Sequence, residues 1–337
     1  MVVIKLLAAL VAILVAAIYF TNAIEVLGDR LNLGESTVGS LLAAFGTALP
    51  ETMIPIVAIL GAVLAGRDSG SAGEVGIGAI LGAPFLLGTL GMFVVGASIL
   101  GFRSRRDGGA EVAVDESSTV RDLRFFLVAF AVGGVAGIVA LPLYARVAVA
   151  VVVLGAYVFY VRQTLKSGGE SSGEPEELKL WPSSSRAPLL VVILQVVGAL
   201  GLMVVGAHFF VSAIQTSSEA LGILAGLIAL VLAPLATELP ETLNSVIWLR
   251  DDKDSLALGN ITGAMVFQST IPVSIIGLLF TRWNLNSLDL FAVAVTLLSG
   301  ALVYVMFGLK GPLRAGYLLA GGAFYAVFVA VAIFTIL

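Results

Sequence analysis

The sequence contains no cysteine, which excludes disulfides, thiolate metal ligands and thiol redox chemistry. It holds a single histidine, His208, so a multi-histidine metal site is excluded too. Charge is scarce. Asp, Glu, Lys and Arg make up 12% of the 337 residues, where a soluble domain carries about 25%. No nucleic-acid signal is present. No nucleophile–base pair or metal-hydrolase motif suggests an enzyme.

What is abundant is apolar sequence. Hydrophobic residues make up 59% of the chain, in runs near twenty long, the length that crosses a bilayer as a helix. The sequence predicts an all-α polytopic membrane protein with ten spans, at roughly 2–22, 37–65, 75–100, 122–140, 143–161, 188–214, 221–249, 256–280, 288–308 and 313–336. Connections are short except for a mixed-charge stretch at 101–121 and a Gly-, Ser-, Glu- and Pro-rich stretch at 162–187, read as a solvated linker. The first span is read as a retained helix, not a signal peptide.

The chain repeats itself. Adding 190 to a residue number maps Phe20 on Phe210, Thr47 on Thr237, Pro50 on Pro240 and Glu51 on Glu241. Adding 181 maps Gly78 to Ala83 on Gly259 to Ala264. The halves 1–161 and 188–337 are therefore diverged copies of five spans each. An odd number of spans makes the second copy enter the membrane from the opposite side, the inverted-repeat plan of secondary transporters. Charge sets the orientation. Four basic residues, Lys5, Arg67, Arg146 and Arg282, fall on the side that holds both termini, and the other fourteen fall opposite. By the positive-inside rule the richer side is cytoplasmic, which places both termini of this cell-membrane protein outside.

Two stretches break the apolar pattern in matching ways. They are Gly46-Thr47-Ala48-Leu49-Pro50-Glu51 and Ala236-Thr237-Glu238-Leu239-Pro240-Glu241. A carboxylate at a bilayer centre costs about 2.5–3.5 kcal/mol on insertion scales, and here it recurs. Proline cannot donate a backbone hydrogen bond and frees the carbonyl four residues back, at Gly46 and Ala236. Thr and Glu four positions apart share a helical face. The stretches are expected to face each other and hold a cation. Glu51, Glu238, Glu241, Thr47, Thr237 and Gln268 offer only oxygens, which suits Ca2+ or Na+ and disfavours soft metals. Three carboxylates at membrane depth require neutralisation by a divalent ion, several monovalent ions or protons, and that requirement is the physical basis of exchange. Small residues along spans three and eight predict a close-packed core of spans two, three, seven and eight.

The doubled pattern resembles the paired alpha repeats of the calcium/cation antiporter superfamily, the sodium/calcium exchanger family. That family carries Gly-Thr-Ser-x-Pro-Glu in both repeats, followed by Gly-Asn-x-x-Gly-Ser-Asn on the next helix. The resemblance implies that Thr47, Glu51, Thr237 and Glu241 bind the transported ions, with carbonyl ligands near Ala44 and Pro234. It implies antiport of Ca2+ against Na+ or H+ by alternating access, with no cofactor beyond the transported ions and no obligate protein partner. The departures are specific. The family serines are Ala48 and Glu238 here, Gly78-Ala79 replaces one Gly-Asn pair, and the Asn or Asp ligands of the third and eighth helices become Leu87 and Gln268. Glu238 therefore stands as a ligand or a proton carrier.

Other readings stay open on the residues alone. These are a proton-coupled exchanger of Ca2+ or another divalent ion such as Mg2+, a cation channel, and an intramembrane enzyme. Asn260 is expected to bond the structure and His208 to pack. Asn244 and Ser245 either line the access path or pack. Asp251, Asp252 and Asp254 are expected in a solvated loop.

Overall fold

Apolar runs without interior proline make the longest helices, α1 (Val2–Arg30) and α7 (Leu189–Ala220). The computed structural model describes residues 2–48, 70–139, 141–167, 177–181, 186–220, 238–310 and 313–336. After α1 comes α2 (Glu35–Thr37), which continues as a π-helical turn, Val38–Ala43, and as α-helix through residue 48. Then follow α3 (Gly70–Leu86), α4 (Met92–Phe102), α5 (Glu116–Ile138) and α6 (Leu143–Lys166). Beyond α7 lie α8 (Leu239–Arg250), α9 (Asp254–Ile271), α10 (Ser287–Lys310), α11 (Ala315–Leu318) and α12 (Ala320–Ile336). Every named element among the described residues is helical.

Local chemistry sets several boundaries. Asp115 caps α5, its Oδ1 accepting from the N–H groups of Ser117 at 3.1 Å and Ser118 at 3.4 Å. Pro142 precedes α6 in extended conformation. Pro84 lies inside α3 shortly before a π turn at Leu87–Gly91, and Pro272 opens another, Pro272–Leu278, at the end of α9. A proline removes one backbone bond and crowds the preceding turn, and a widened π turn is one way to absorb it.

Seven of the described helices are long and apolar enough to cross a membrane. The expected spans two and seven fall largely outside the described residues. The expected fourth span, α5, carries Arg121, Asp122 and Arg124 in its first turns. Burial orders the layers. The Asp254–Leu278 span is 89% buried, against 17% for Leu143–Lys166 and 22% for Ala315–Thr335. So α9 is the centre, and α6 and α12 lie at the periphery. Val128, Val151, Val152, Leu190 and Phe334 are exposed on the outside, where a bilayer accepts apolar side chains.

The central contact is a backbone approach between α9 and the 38–43 turn. A Cβ on Gly263 would stand 2.2 Å from the Ser40 carbonyl oxygen, so only glycine fits. Asp122 fastens this contact from α5. It is 0% exposed, and its Oδ2 accepts from Ser40 Oγ at 2.6 Å and Thr262 Oγ1 at 2.9 Å.

Two further clusters tie distant segments together. Arg106 is buried between α4 and α5 and donates to Asp254 Oδ2 at 2.5 Å and to the Leu249 carbonyl at 2.7 Å. Ala113 N–H donates to the same Asp254 oxygen at 2.8 Å. This corrects the solvated-loop expectation in part: Asp251 and Asp252 are exposed, but Asp254 is buried because it neutralises Arg106. At the end of α8, Trp248 Nε1 donates to Glu25 Oε1 of α1 at 2.8 Å, and Lys253 Nζ pairs with Glu25 Oε2. The stretch read as a solvated linker also differs from expectation. Residues 162–166 extend α6, and Leu178 is buried. Next to it, Lys179 N–H donates to Asn22 Oδ1 at 2.9 Å and Leu180 N–H to Gln195 Oε1 at 3.0 Å. Those polar side chains on α1 and α7 capture a segment whose composition alone reads as free.

Candidate cation site

Proline decides where α8 starts. Pro240 is its second residue, where the N–H has no helical partner to lose and the fixed φ suits the first turn. The helix interruption expected at this proline is thus a helix N-terminus. Glu238 occupies the capping position with φ −84° and ψ 3°, and Glu241 falls in the first turn. The N–H groups of a first helical turn favour negative charge, which partly offsets the burial of both carboxylates.

Glu238 and Glu241 are each 0% exposed, and their carboxylates are close enough to repel one another. Gln268, from α9, donates Nε2 to both carboxylate oxygens of Glu238 at 3.2 Å each. Glu241 differs: neither Oε1 nor Oε2 has a hydrogen-bond partner. The Thr47 hydroxyl and the Glu241 N–H stand near enough to that carboxylate to stabilise its charge, but the Thr47 hydroxyl gives its proton to the Ala43 carbonyl at 2.9 Å, so its oxygen lone pairs remain available. A buried, unbonded carboxylate next to a second one and a hydroxyl is a site for positive charge, and all its donors are hard oxygens.

The fold therefore brings Thr47 from the first half to Glu238, Glu241 and Gln268 from the second. Ala44 is buried on the same helix as Thr47, one turn earlier. Glu51, Thr237 and Pro234 lie outside the described residues, as do Pro50 and Ala236. Among the described residues no group of three His, Cys, Asp or Glu side chains converges; the expected third carboxylate is Glu51. Leu87 is fully buried in its π turn and offers no ligand. Asn260 donates Nδ2 to the Glu241 carbonyl at 3.0 Å and to Ser245 Oγ at 3.2 Å, the bonding role expected of it. Ser245 donates within reach of two carbonyls, Glu241 and Ala257, at 2.9 Å each. His208 is exposed, its ring edge-on to Phe209.

Sequence reasoning missed the Asp122 cluster and Glu25. Asp122 sits between Arg121 and Arg124, where it reads as one more charge at a solvated helix end. Glu25 lies in the last turns of an apolar helix, where a carboxylate reads as reaching for water. The usable signal was placement: both are five or more residues inside a helix.

A sequence profile of the sodium/calcium exchanger proteins matches residues 1–165 and 191–337. No curated protein matches the chain. The fold is that of the sodium-calcium exchanger NCX_Mj. A structure of that protein soaked with 2.5 mM Na+ and 10 mM Sr2+ aligns with TM-score 0.74 at 20% identity, covering 98% of this chain and 99% of that one. One soaked with 2.5 mM Na+ and 0.1 mM Ca2+ gives 0.74 at 21%, covering 98% and 97%. One soaked with 10 mM Na+ and no Ca2+ gives 0.73 at 22%, covering 98% and 99%. With the profile spanning both halves of the sequence, the chain belongs to the sodium/calcium exchanger protein family.

Proposed function

We propose that this chain exchanges Ca2+ for Na+ or H+ by alternating access around a carboxylate site at mid-membrane. Family membership makes it a multi-pass membrane transporter of the antiport type, not an enzyme. The finer reading is a ten-span chain of two inverted five-helix repeats, 1–161 and 188–337, joined by a cytoplasmic linker at 162–187. In this reading it sits in the cell membrane with both termini outside. The side chains of Thr47, Glu51, Thr237, Glu238, Glu241 and Gln268 hold the ions, with carbonyls near Ala44 and Pro234.

One observation carries the reading. Glu241 is fully buried with neither carboxylate oxygen bonded, beside Glu238 and Thr47. Such a group is stable only with a cation or a proton. Emptying the site leaves two carboxylates facing each other, so one charge departs as another arrives. A dehydrated oxygen cage suits Ca2+ better than Mg2+, which holds its water and demands octahedral geometry.

The extra carboxylate of Glu238, where the family pattern has serine, supports a second reading in which protons drive the exchange. Calcium uptake into proteoliposomes, with sodium and proton gradients imposed in turn, separates the two. Glu51→Gln and Glu241→Gln are expected to abolish uptake, and normal uptake in both variants refutes the site. Flux that needs no counter-ion and does not saturate indicates a channel instead.

A further inference from the structure

The polar face of α8 continues beyond Glu241. Asn244, three residues on, is 0% exposed, and neither its Nδ2 nor its Oδ1 has a hydrogen-bond partner. Residues three apart on a helix stand about 5–6 Å apart at Cβ, so this carboxamide neighbours the equally unbonded carboxylate of Glu241. Asn260 reaches the same turn from α9 through Nδ2, and its Oδ1 is buried without a partner. Ser245, in between, is satisfied. Unbonded buried polar groups are destabilising, and here they gather on one turn of one helix and on the residue facing it. One turn further on, Trp248 bonds Glu25, whose side chain is 15% exposed. Asn244 thus lies between the buried carboxylates and a group that reaches solvent.

The unbonded acceptors are one carboxylate and two amide oxygens. They are hard donors, which selects against soft metals. Their single negative charge, already shared with the site above, suits a monovalent ion better than a divalent one. We infer that Glu241, Asn244 and Asn260 form a second station for a hard monovalent cation such as sodium, one helical turn from the first site towards Glu25. The inference rests on the antiport reading above. The positions that correspond to Asn244 and Asn260 in the first half are Ile54 and Ala79, so the station has no counterpart there and serves one access route only.

Thermal unfolding of the purified full-length protein, titrated with sodium, calcium or choline chloride, tests this. Wild type should be stabilised by sodium and by calcium but not by choline. Asn244→Leu, an isosteric apolar replacement, should raise the sodium concentration for half-maximal stabilisation by about tenfold or more. It should leave the calcium midpoint in sodium-free buffer unchanged and raise the melting temperature without ions. Asn244→Ala gives the same ion pattern should leucine prevent folding. Sodium and calcium midpoints that shift together, or a sodium midpoint that stays in place, overturn the station. Wild type that responds to calcium alone overturns the station and leaves the antiport reading standing, whereas no response to either ion removes both.

Discussion

Replacing Glu241 by Gln should stabilise the ion-free protein and weaken the ion-bound one. The first effect follows from the unbonded, fully buried carboxylate with Glu238 alongside. Removing that charge while keeping the shape recovers on the order of 1–3 kcal/mol, a rise of a few degrees in melting temperature. The second effect is electrostatic. Two unit charges 4 Å apart attract by about 4 kcal/mol at the effective dielectric of about 20 that suits protein sites. A divalent ion doubles this, yet even the smaller figure is about a thousandfold in affinity. The assay is a melting series of wild type and Glu241→Gln against calcium, paired with calcium uptake into vesicles. The curves should cross: the variant starts higher and scarcely rises, while wild type starts lower and climbs. A variant that melts below wild type without ions and keeps its calcium midpoint would refute the electrostatic argument, because Glu241 would then be a structural group with no cation to meet.

Three other outcomes follow from the packing. Asp254→Ala leaves Arg106, whose side chain is 1% exposed, with backbone carbonyls and the exposed Asp252 at 3.8 Å as its partners; it should cost about 3–5 kcal/mol in thermal or denaturant unfolding, and a second change, Arg106→Met, should recover much of it. Gly263→Val places a side chain 2.2 Å from the Ser40 carbonyl, so α9 and the 38–43 turn must separate; size-exclusion profiles and melting should show misfolded or strongly destabilised protein, and a wild-type profile would contradict the close approach. Asp115→Ala removes the α5 cap at about 1 kcal/mol, with a defined pH range. Burial alone would raise the Asp115 pKa, but hydrogen bonds from Ser118 and Ser117 outweigh it and hold the pKa below its ordinary 3.8. Because the folded value is the lower one, this stabilisation is complete above 3.8 and fades as pH falls through the folded value, so wild type and variant should differ near neutral pH and converge in strong acid.

The helices were legible because apolar runs of bilayer length have few alternatives: α10 follows its expected span closely, and α1, α6 and α7 begin within a residue of theirs but run about five to eight residues further. For the candidate site, the signal in the sequence is proline, threonine and glutamate recurring at one spacing in both halves. Glu238, Glu241 and Gln268 come together as their oxygen chemistry suggests. What stayed hidden depends on partners far along the chain. Arg106 and Asp254 are 148 residues apart, and each alone reads as a surface charge. Asp122 bonds Ser40 and Thr262 across 82 and 140 residues; only the tertiary contact reveals that it is buried. Leu178 and its neighbours read as solvated because low-complexity composition says nothing of the two polar side chains, Asn22 and Gln195, that hold them.

The bond that joins α1 to α8 has a consequence for energetics. Under the 190-residue offset between the halves, Glu25 corresponds to Gln215 and Trp248 to Ala58, so the residues of this clasp are not repeated in the sequence. Parting α1 from α8 breaks an ion pair and an indole hydrogen bond together. Any pose in which the two helices separate therefore carries that cost, and a single Glu25→Gln substitution lowers it.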